Sequence, residues 1–307
     1  MNRDEVRLET GGAMLAGTLT LPERDPPAPV IIGVHGAEGG TRDFHLFRHL
    51  EATLPPAGVA TLLFDRRGEG ESSGDREGTS YDVLAADIRA WMRWCATDER
   101  IASARIGLWG ISQGGWIAPL AAAGSREASF LVAVSAAGVT PGAQMAFATR
   151  ALLRAAGYGE NAVEQMLALR RAMNELSAGR LPTTEAQALL DAAANEPWFE
   201  LAFVPADASV IDRSWGEEMA FDIRPALRAL RLPVLLFFGE HDRWIPVAES
   251  ADVWRAELGP DADVTVVSLP GAGHAATFAT DPSDWLEHGP VSPDYERALL
   301  AWLRDRL

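Results

Sequence analysis

Three residues of this chain have types and surroundings suited to nucleophilic chemistry: Ser112, Asp242 and His274. A serine hydroxyl is a weak nucleophile until a base removes its proton, and a histidine base needs a carboxylate to fix its tautomer and stabilise its charged form. Ser112 lies in Arg105-Ile-Gly-Leu-Trp-Gly-Ile-Ser-Gln-Gly-Gly-Trp116, an apolar strand that turns into an apolar, alanine-rich helix ending near Gly124. Gly110 and Gly114 flank it at i−2 and i+2, where so tight a corner leaves no room for a Cβ and pushes the serine itself toward positive φ. The serine then sits at a helix N-terminus, whose outward N–H groups stabilise developing negative charge.

A second match to Gly-x-Ser-x-Gly, Gly70-Glu-Ser-Ser-Gly74, lies in the polar, glycine-rich loop Asp65–Asp75 with no strand before it and no helix after it. Ser72 is therefore read as a loop residue. Asp242 follows the apolar run Pro233–Gly239, and His274 follows Asp263–Pro270 through Gly271-Ala-Gly. In a parallel sheet the loops at the carboxyl ends of the strands converge, so these positions predict a shared site in the order Ser, Asp, His. Glu240 is an alternative acid in the same loop, and His241 is read as structural or exposed. His45, His49 and His288 have no partners at metal-ligand spacing, so no metal and no cofactor is expected.

The elements that must position these residues follow from periodicity. Val6–Thr10 and Met14–Leu21 alternate on either side of Gly11-Gly12, a hairpin signal. Strands are expected at 29–36, 58–64, 106–109, 130–135, 233–239 and 263–270. Helices are expected at 44–54, 81–96, 116–123, 247–258 and 295–307. This alternation predicts an α/β fold with a mostly parallel, doubly wound sheet and an N-terminal antiparallel hairpin. Between about Met145 and Leu230 only helical stretches appear, so residues 1–144 and 231–307 are expected to form the core domain and 145–230 an inserted helical cap.

Composition narrows the function. The chain has 307 residues and a formal net charge of −16, which argues against nucleic-acid or anionic-membrane partners. All 27 basic residues are arginine, so a Schiff-base lysine and a phosphate-binding P-loop lysine are both excluded. Cys95, the single cysteine, falls on the apolar face of a helical pattern and permits no internal disulfide. With no apolar leader at Met1–Glu5 and no membrane-length apolar run, a soluble cytoplasmic protein is expected, and a homodimer is left open.

Gly110-Ile-Ser-Gln-Gly114, Gly239-Glu-His-Asp242 with Pro246 behind it, and Gly271-Ala-Gly-His274 resemble the α/β-hydrolase fold family, within it the dienelactone-hydrolase-like and carboxylesterase branch. The resemblance covers nearly all of the chain outside the cap. It implies Ser112 as nucleophile, His274 as base, Asp242 as orienting acid, and the N–H groups of Ala37 and Gln113 as an oxyanion hole. Dienelactone hydrolases carry cysteine where this chain has Ser112. The expected activity is hydrolysis of small to medium carboxylic esters through an acyl-enzyme, with a peptidase, thioesterase or acyltransferase as alternative enzymes and a non-catalytic small-molecule receptor as the alternative from another class. Glu38, Trp116, Phe147, Trp198, Trp215 and Trp244 are the candidate substrate-binding residues.

Overall fold

The computed structural model describes residues 2–23, 25–76, 79–279 and 289–307. The chain opens with β1 (Asn2–Thr10) and β2 (Ala13–Leu21), an antiparallel hairpin whose turn residues Gly11 and Gly12 have φ of 51° and 74°. Such a turn matches the right-handed twist of the flanking strands. Next come β3 (Ala28–Val34), α1 (His45–Thr53), β4 (Ala60–Phe64), α2 (Tyr81–Thr97), β5 (Ile101–Ile111), α3 (Gly114–Ala123) and β6 (Ala128–Val134). After a helical block the chain returns through β7 (Val234–Gly239), α9 (Val247–Leu258), β8 (Val264–Leu269) and α10 (Pro293–Arg304).

The eight strands form one sheet in the order β1-β2-β4-β3-β5-β6-β7-β8. Pairing is antiparallel at β1/β2 and β2/β4 and parallel from β4 to β8. The central strands are buried on both faces, as their unbroken apolar runs require. One face is covered by α2, α3 and α9 around Leu108, Trp91, Ile117 and Trp254, and the other by α1 and α10 around Phe47, Trp109, Phe237 and Tyr295. Register aligns the carboxyl ends: Val34 pairs with Gly110, Ile111 with Val134, Val134 with Phe237, and Gly239 with Leu269.

The helical block between β6 and β7 contains α4 (Pro141–Ala155), α5 (Glu160–Ser177), α6 (Thr183–Ala193), α7 (Arg213–Met219) and α8 (Arg224–Ala229). It begins four residues before the expected Met145, because Thr140 caps α4 by accepting a hydrogen bond from the Ala143 N–H and Pro141 fits the first helical position. Leu153, Met166, Met173, Leu190 and Trp198 give α4–α6 a core of their own. The last helix, α8, joins the main core through Ala226 and Leu227.

Candidate active site

Ser112 stands between β5 and α3 with φ of 53°, the strained corner expected from its flanking glycines. A Cβ on Gly110 would lie 2.4 Å from the Gly114 carbonyl oxygen, and one on Gly114 would lie 2.5 Å from that of Val34. Side chains at these two positions are therefore excluded by backbone. The Ser112 N–H donates to the Val134 carbonyl at 3.0 Å, tying the corner to the neighbouring strand.

From the ends of β7 and β8, Asp242 and His274 meet. Nδ1 of His274 lies 3.1 Å from Oδ1 and 3.0 Å from Oδ2 of Asp242. The Asp242 carboxylate is fully buried, and its Oδ1 also accepts the N–H groups of Trp244 (2.8 Å) and Ile245 (3.0 Å). Three donors facing one carboxylate offset the cost of burying it. Glu240 does not compete for His274: its Oε2 accepts the Gly271 N–H at 2.9 Å and so holds the turn that delivers the histidine. The exposed His241 donates its N–H to the Ala272 carbonyl at 2.9 Å.

The loop after β3 completes the group. His35 is buried between Phe47 and Phe64, with Nε2 2.6 Å from the Phe64 carbonyl and Nδ1 3.1 Å from that of Gly39. Gly36 then passes so close to Ser112 that a Cβ on it would stand 3.5 Å from the serine Cβ. Among the described residues, no backbone carbonyl accepts the N–H of Ala37 or of Gln113. Two free donors thus sit on the two loops that border the serine.

Ser112, His274, Ala37 and Glu38 line a cavity of about 490 Å³ whose remaining wall is mainly apolar, with Phe44, Ile111, Met145, Phe203, Trp244 and Ala275. The Trp244 ring stands 6.1 Å from that of His274 and 5.3 Å from that of Phe203. A half-buried serine and histidine on one cavity, a buried carboxylate behind the histidine, and the Ala37 and Gln113 N–H groups on the loops beside the serine are the parts needed to activate an oxygen nucleophile and stabilise an oxyanion.

Of the substrate-binding candidates, Glu38 and Trp244 line this cavity and four others do not. Trp116 is buried in the main core, stacks on Tyr81 and donates its indole N–H to the Val139 carbonyl. Trp198 is 3% exposed and packs inside the helical block. Phe147 follows the lining residue Met145 by two positions, a rotation of roughly 200° around α4 that carries it off the cavity wall. Trp215 lines a second, more polar cavity of about 520 Å³, together with Arg66, Tyr81, Gln113 and Glu218. Helical periodicity identifies buried faces but not what lies opposite them, and these four stand outside the cavity that Ser112 and His274 line. Met145 and Phe203, which belong to the aromatics and methionines of the expected cap, also border the cavity.

Ser72, the serine of the rival motif, is buried in its loop. Its hydroxyl donates to the Asp65 carbonyl at 2.6 Å and accepts the Ala16 N–H at 2.9 Å, and Ser72 does not line the cavity of His274.

The model of the hydrolase family described as serine aminopeptidase, S33, matches residues 25–281. The chain belongs to that family. The match spans β3 to β8 and includes Ser112, Asp242 and His274. Solved structures place this S33 hydrolase in the α/β-hydrolase fold: a Pyrococcus furiosus esterase superposes with a TM-score of 0.64 at 18% identity, covering 99% of this chain and 91% of that one. Est1E from Butyrivibrio proteoclasticus, solved with ferulic acid bound, superposes with a TM-score of 0.61 at 18% identity, covering 98% of each chain. An uncharacterised 31.7 kDa protein of Escherichia coli, from the traX-finO intergenic region, is 40% identical over 101 residues, 33% of this chain and 35% of that one. The curated relatives are matched over 27% to 35% of their own length. Among the described residues no helix is long and apolar enough to cross a membrane.

Proposed function

We propose that this S33 hydrolase cleaves small to medium carboxylic esters through an acyl-enzyme, with Ser112, His274 and Asp242 as its catalytic triad. The observation that carries the reading is the contact of both Asp242 carboxylate oxygens with Nδ1 of His274, in a cavity that the histidine shares with a serine held at positive φ. Asp242 keeps the proton on Nδ1 and leaves Nε2 free to take the proton of Ser112. The serine oxygen attacks the ester carbonyl, and the resulting oxyanion is stabilised by the N–H groups of Ala37 and Gln113 and by the N-terminus of α3. His274 passes the proton to the leaving alcohol; water, activated by the same base, then releases the acid. The apolar wall suits a hydrocarbon or aromatic acyl group, and helices α4–α7 act as the cap over it.

The test is labelling with a fluorophosphonate followed by peptide mass spectrometry. The expected result is rapid, stoichiometric modification of Ser112 and loss of ester hydrolysis by a factor on the order of 10⁶ in kcat for Ser112→Ala. Slow labelling, labelling elsewhere, or an active Ser112→Ala variant would overturn the assignment. A second reading, hydrolysis next to a free amino group, is favoured by Glu38, whose carboxylate borders the cavity of a chain in a family described by aminopeptidase activity.

A further inference from the structure

Arg66 lies one residue beyond Asp65 at the end of β4 and is 7% exposed. Its guanidinium spans the two loops that border Ser112. Nη1 donates to the Gly36 carbonyl at 2.9 Å and to Oε1 of Gln113 at 3.2 Å, while Nη2 donates to the Ala37 carbonyl at 3.2 Å. The backbone joins the same arrangement, since the Arg66 N–H donates to the Gly40 carbonyl at 2.7 Å.

These acceptors have a geometric consequence. The Gly36 carbonyl and the Ala37 N–H belong to one planar trans peptide unit, so they point in opposite directions. Drawing the carbonyl toward Arg66 fixes the direction of the N–H that borders Ser112. A cation on a carbonyl oxygen also polarises the amide and makes its N–H a stronger donor, as in any chain of hydrogen bonds. On the other loop, Gln113 is held from both ends of its side-chain amide: Oε1 by Arg66, and Nε2 by the Glu218 carboxylate at 3.3 Å. The second N–H donor is the backbone of that same residue.

The guanidinium is itself fixed. Glu69 accepts from Nε at 2.9 Å and also pairs with Nη2, and Arg76 approaches the same carboxylate at 3.2 Å. The cation is thus paired through Nε and Nη2 with one carboxylate oxygen and kept in one rotamer by a forked contact that an ammonium group could not reproduce.

We infer that Arg66 is the positioning residue of the oxyanion site, setting the direction and donor strength of the Ala37 N–H and locking Gln113 beside it. The inference rests on the serine-hydrolase reading above and adds to it a residue outside the lining of the cavity that Ser112 and His274 share.

The experiment compares the intact protein with Arg66→Met, Arg66→Lys and Arg66→Ala on one chromogenic ester, with rates expressed per fluorophosphonate-titrated site. Affinity for a trifluoromethyl ketone is measured alongside, because that inhibitor adds Ser112 and places an oxyanion in the site. Removing one oxyanion donor costs on the order of 10²-fold or more in rate. The expected result is a fall in kcat of about 10-fold to 10²-fold for Arg66→Met, KM within about twofold, and a parallel loss of ketone affinity. Arg66→Lys keeps the charge but not the fork and is expected to remain impaired. Millimolar methylguanidinium should restore part of the Arg66→Ala rate. Unchanged kcat per titrated site in the Met and Lys variants would overturn the inference, as would a fall in kcat with unchanged ketone affinity. Should Arg66→Met fail to fold, Arg66→Lys and guanidinium rescue decide the matter. Failure of the underlying reading is separate: the unmodified protein would then neither hydrolyse the ester nor label at Ser112.

Discussion

Oδ1 of Asp242 serves His274 and the N–H groups of Trp244 and Ile245 at once, while Oδ2, among the described residues, serves His274 alone. This division lets two substitutions separate catalysis from folding. Asp242→Asn retains an oxygen for the two N–H groups but presents an amide donor toward Nδ1, which favours the wrong histidine tautomer; kcat should fall by about 10⁴ with stability little changed. Asp242→Ala also orphans two buried N–H groups and should cost a further 1 to 3 kcal/mol, roughly, of unfolding free energy. Steady-state kinetics with urea denaturation on both variants checks the split, and equal stability losses would contradict it.

Phe203 gives a second prediction. It is a bulky residue in the left-handed region, at φ 46° and ψ 50°, and its ring enters the cavity against Trp244. Holding it costs about 1 kcal/mol or more. The anchor is Arg170 of α5, which donates to the carbonyls of Ala202 and Phe203 and, among the described residues, pairs with no carboxylate. Burial alone draws that guanidinium down to about 10. Phe203→Gly should relieve the strain, leave stability within about 1 kcal/mol of the parent, and raise kcat/KM selectively for longer acyl chains. A series of esters from acetate to decanoate reads this directly; an unchanged chain-length profile would remove Phe203 from the specificity wall.

What could be read in the sequence was whatever local geometry determines. The Gly11-Gly12 turn, the glycines around Ser112 and the apolar runs of β3 to β7 each encode their conformation within a few residues, and each appears, with β5 longer than expected and starting at Ile101. Asp242 and His274 were expected to share one place because strand ends converge, a regularity of the sheet as a whole, and the two side chains do meet. What the sequence does not report is long-range. Whether Trp116 or Trp198 faces a cavity or a neighbouring helix depends on elements far away in the chain, and no periodicity reports it. Arg66 is similar: the Asp65-Arg-Arg-Gly68 loop was visible, but its reach to Gly36, Ala37 and Gln113 exists only once β3, β4 and β5 lie side by side. The earlier start of α4 was legible in Thr140-Pro141, a cap followed by a first-turn proline.

His35 makes stability depend on pH. Both ring nitrogens face carbonyls, which favours protonation, but complete burial outweighs this and, with the nearby Arg66 cation, draws the ring down to about 4 from its ordinary 6.5. The unfolded chain therefore takes up a proton near pH 6.5 that the folded chain refuses until about pH 4. The contribution is complete above 6.5 and is lost as the pH falls through that window, by about 2 kcal/mol at pH 5. Because His35 anchors the loop of Gly36 and Ala37, acid should open the site early. Denaturation at pH 7 and pH 5 should show this loss in the parent and not in His35→Gln; equal losses in both would assign it to other groups.

The last prediction concerns Glu38. A carboxylate beside a forming oxyanion would raise the barrier by repulsion, and pairing with Arg42 would be the simplest way to quench it. Arg42 is otherwise engaged: it reaches Glu5, Asp65 at 3.1 Å and Glu71 at 3.0 Å, and no contact with Glu38 accompanies these. Glu38 remains exposed at the cavity that holds Ser112 and His274, in a position to attract a substrate's positive charge. Comparing Glu38→Gln with the parent on matched neutral and cationic esters isolates that attraction. At low salt the cationic ester should lose about 2- to 5-fold in kcat/KM while the neutral ester is unchanged or slightly faster, and added salt should erase the difference. Equal behaviour of the two esters would place Glu38 outside substrate recognition and leave the neutral-ester reading without its aminopeptidase-like rival.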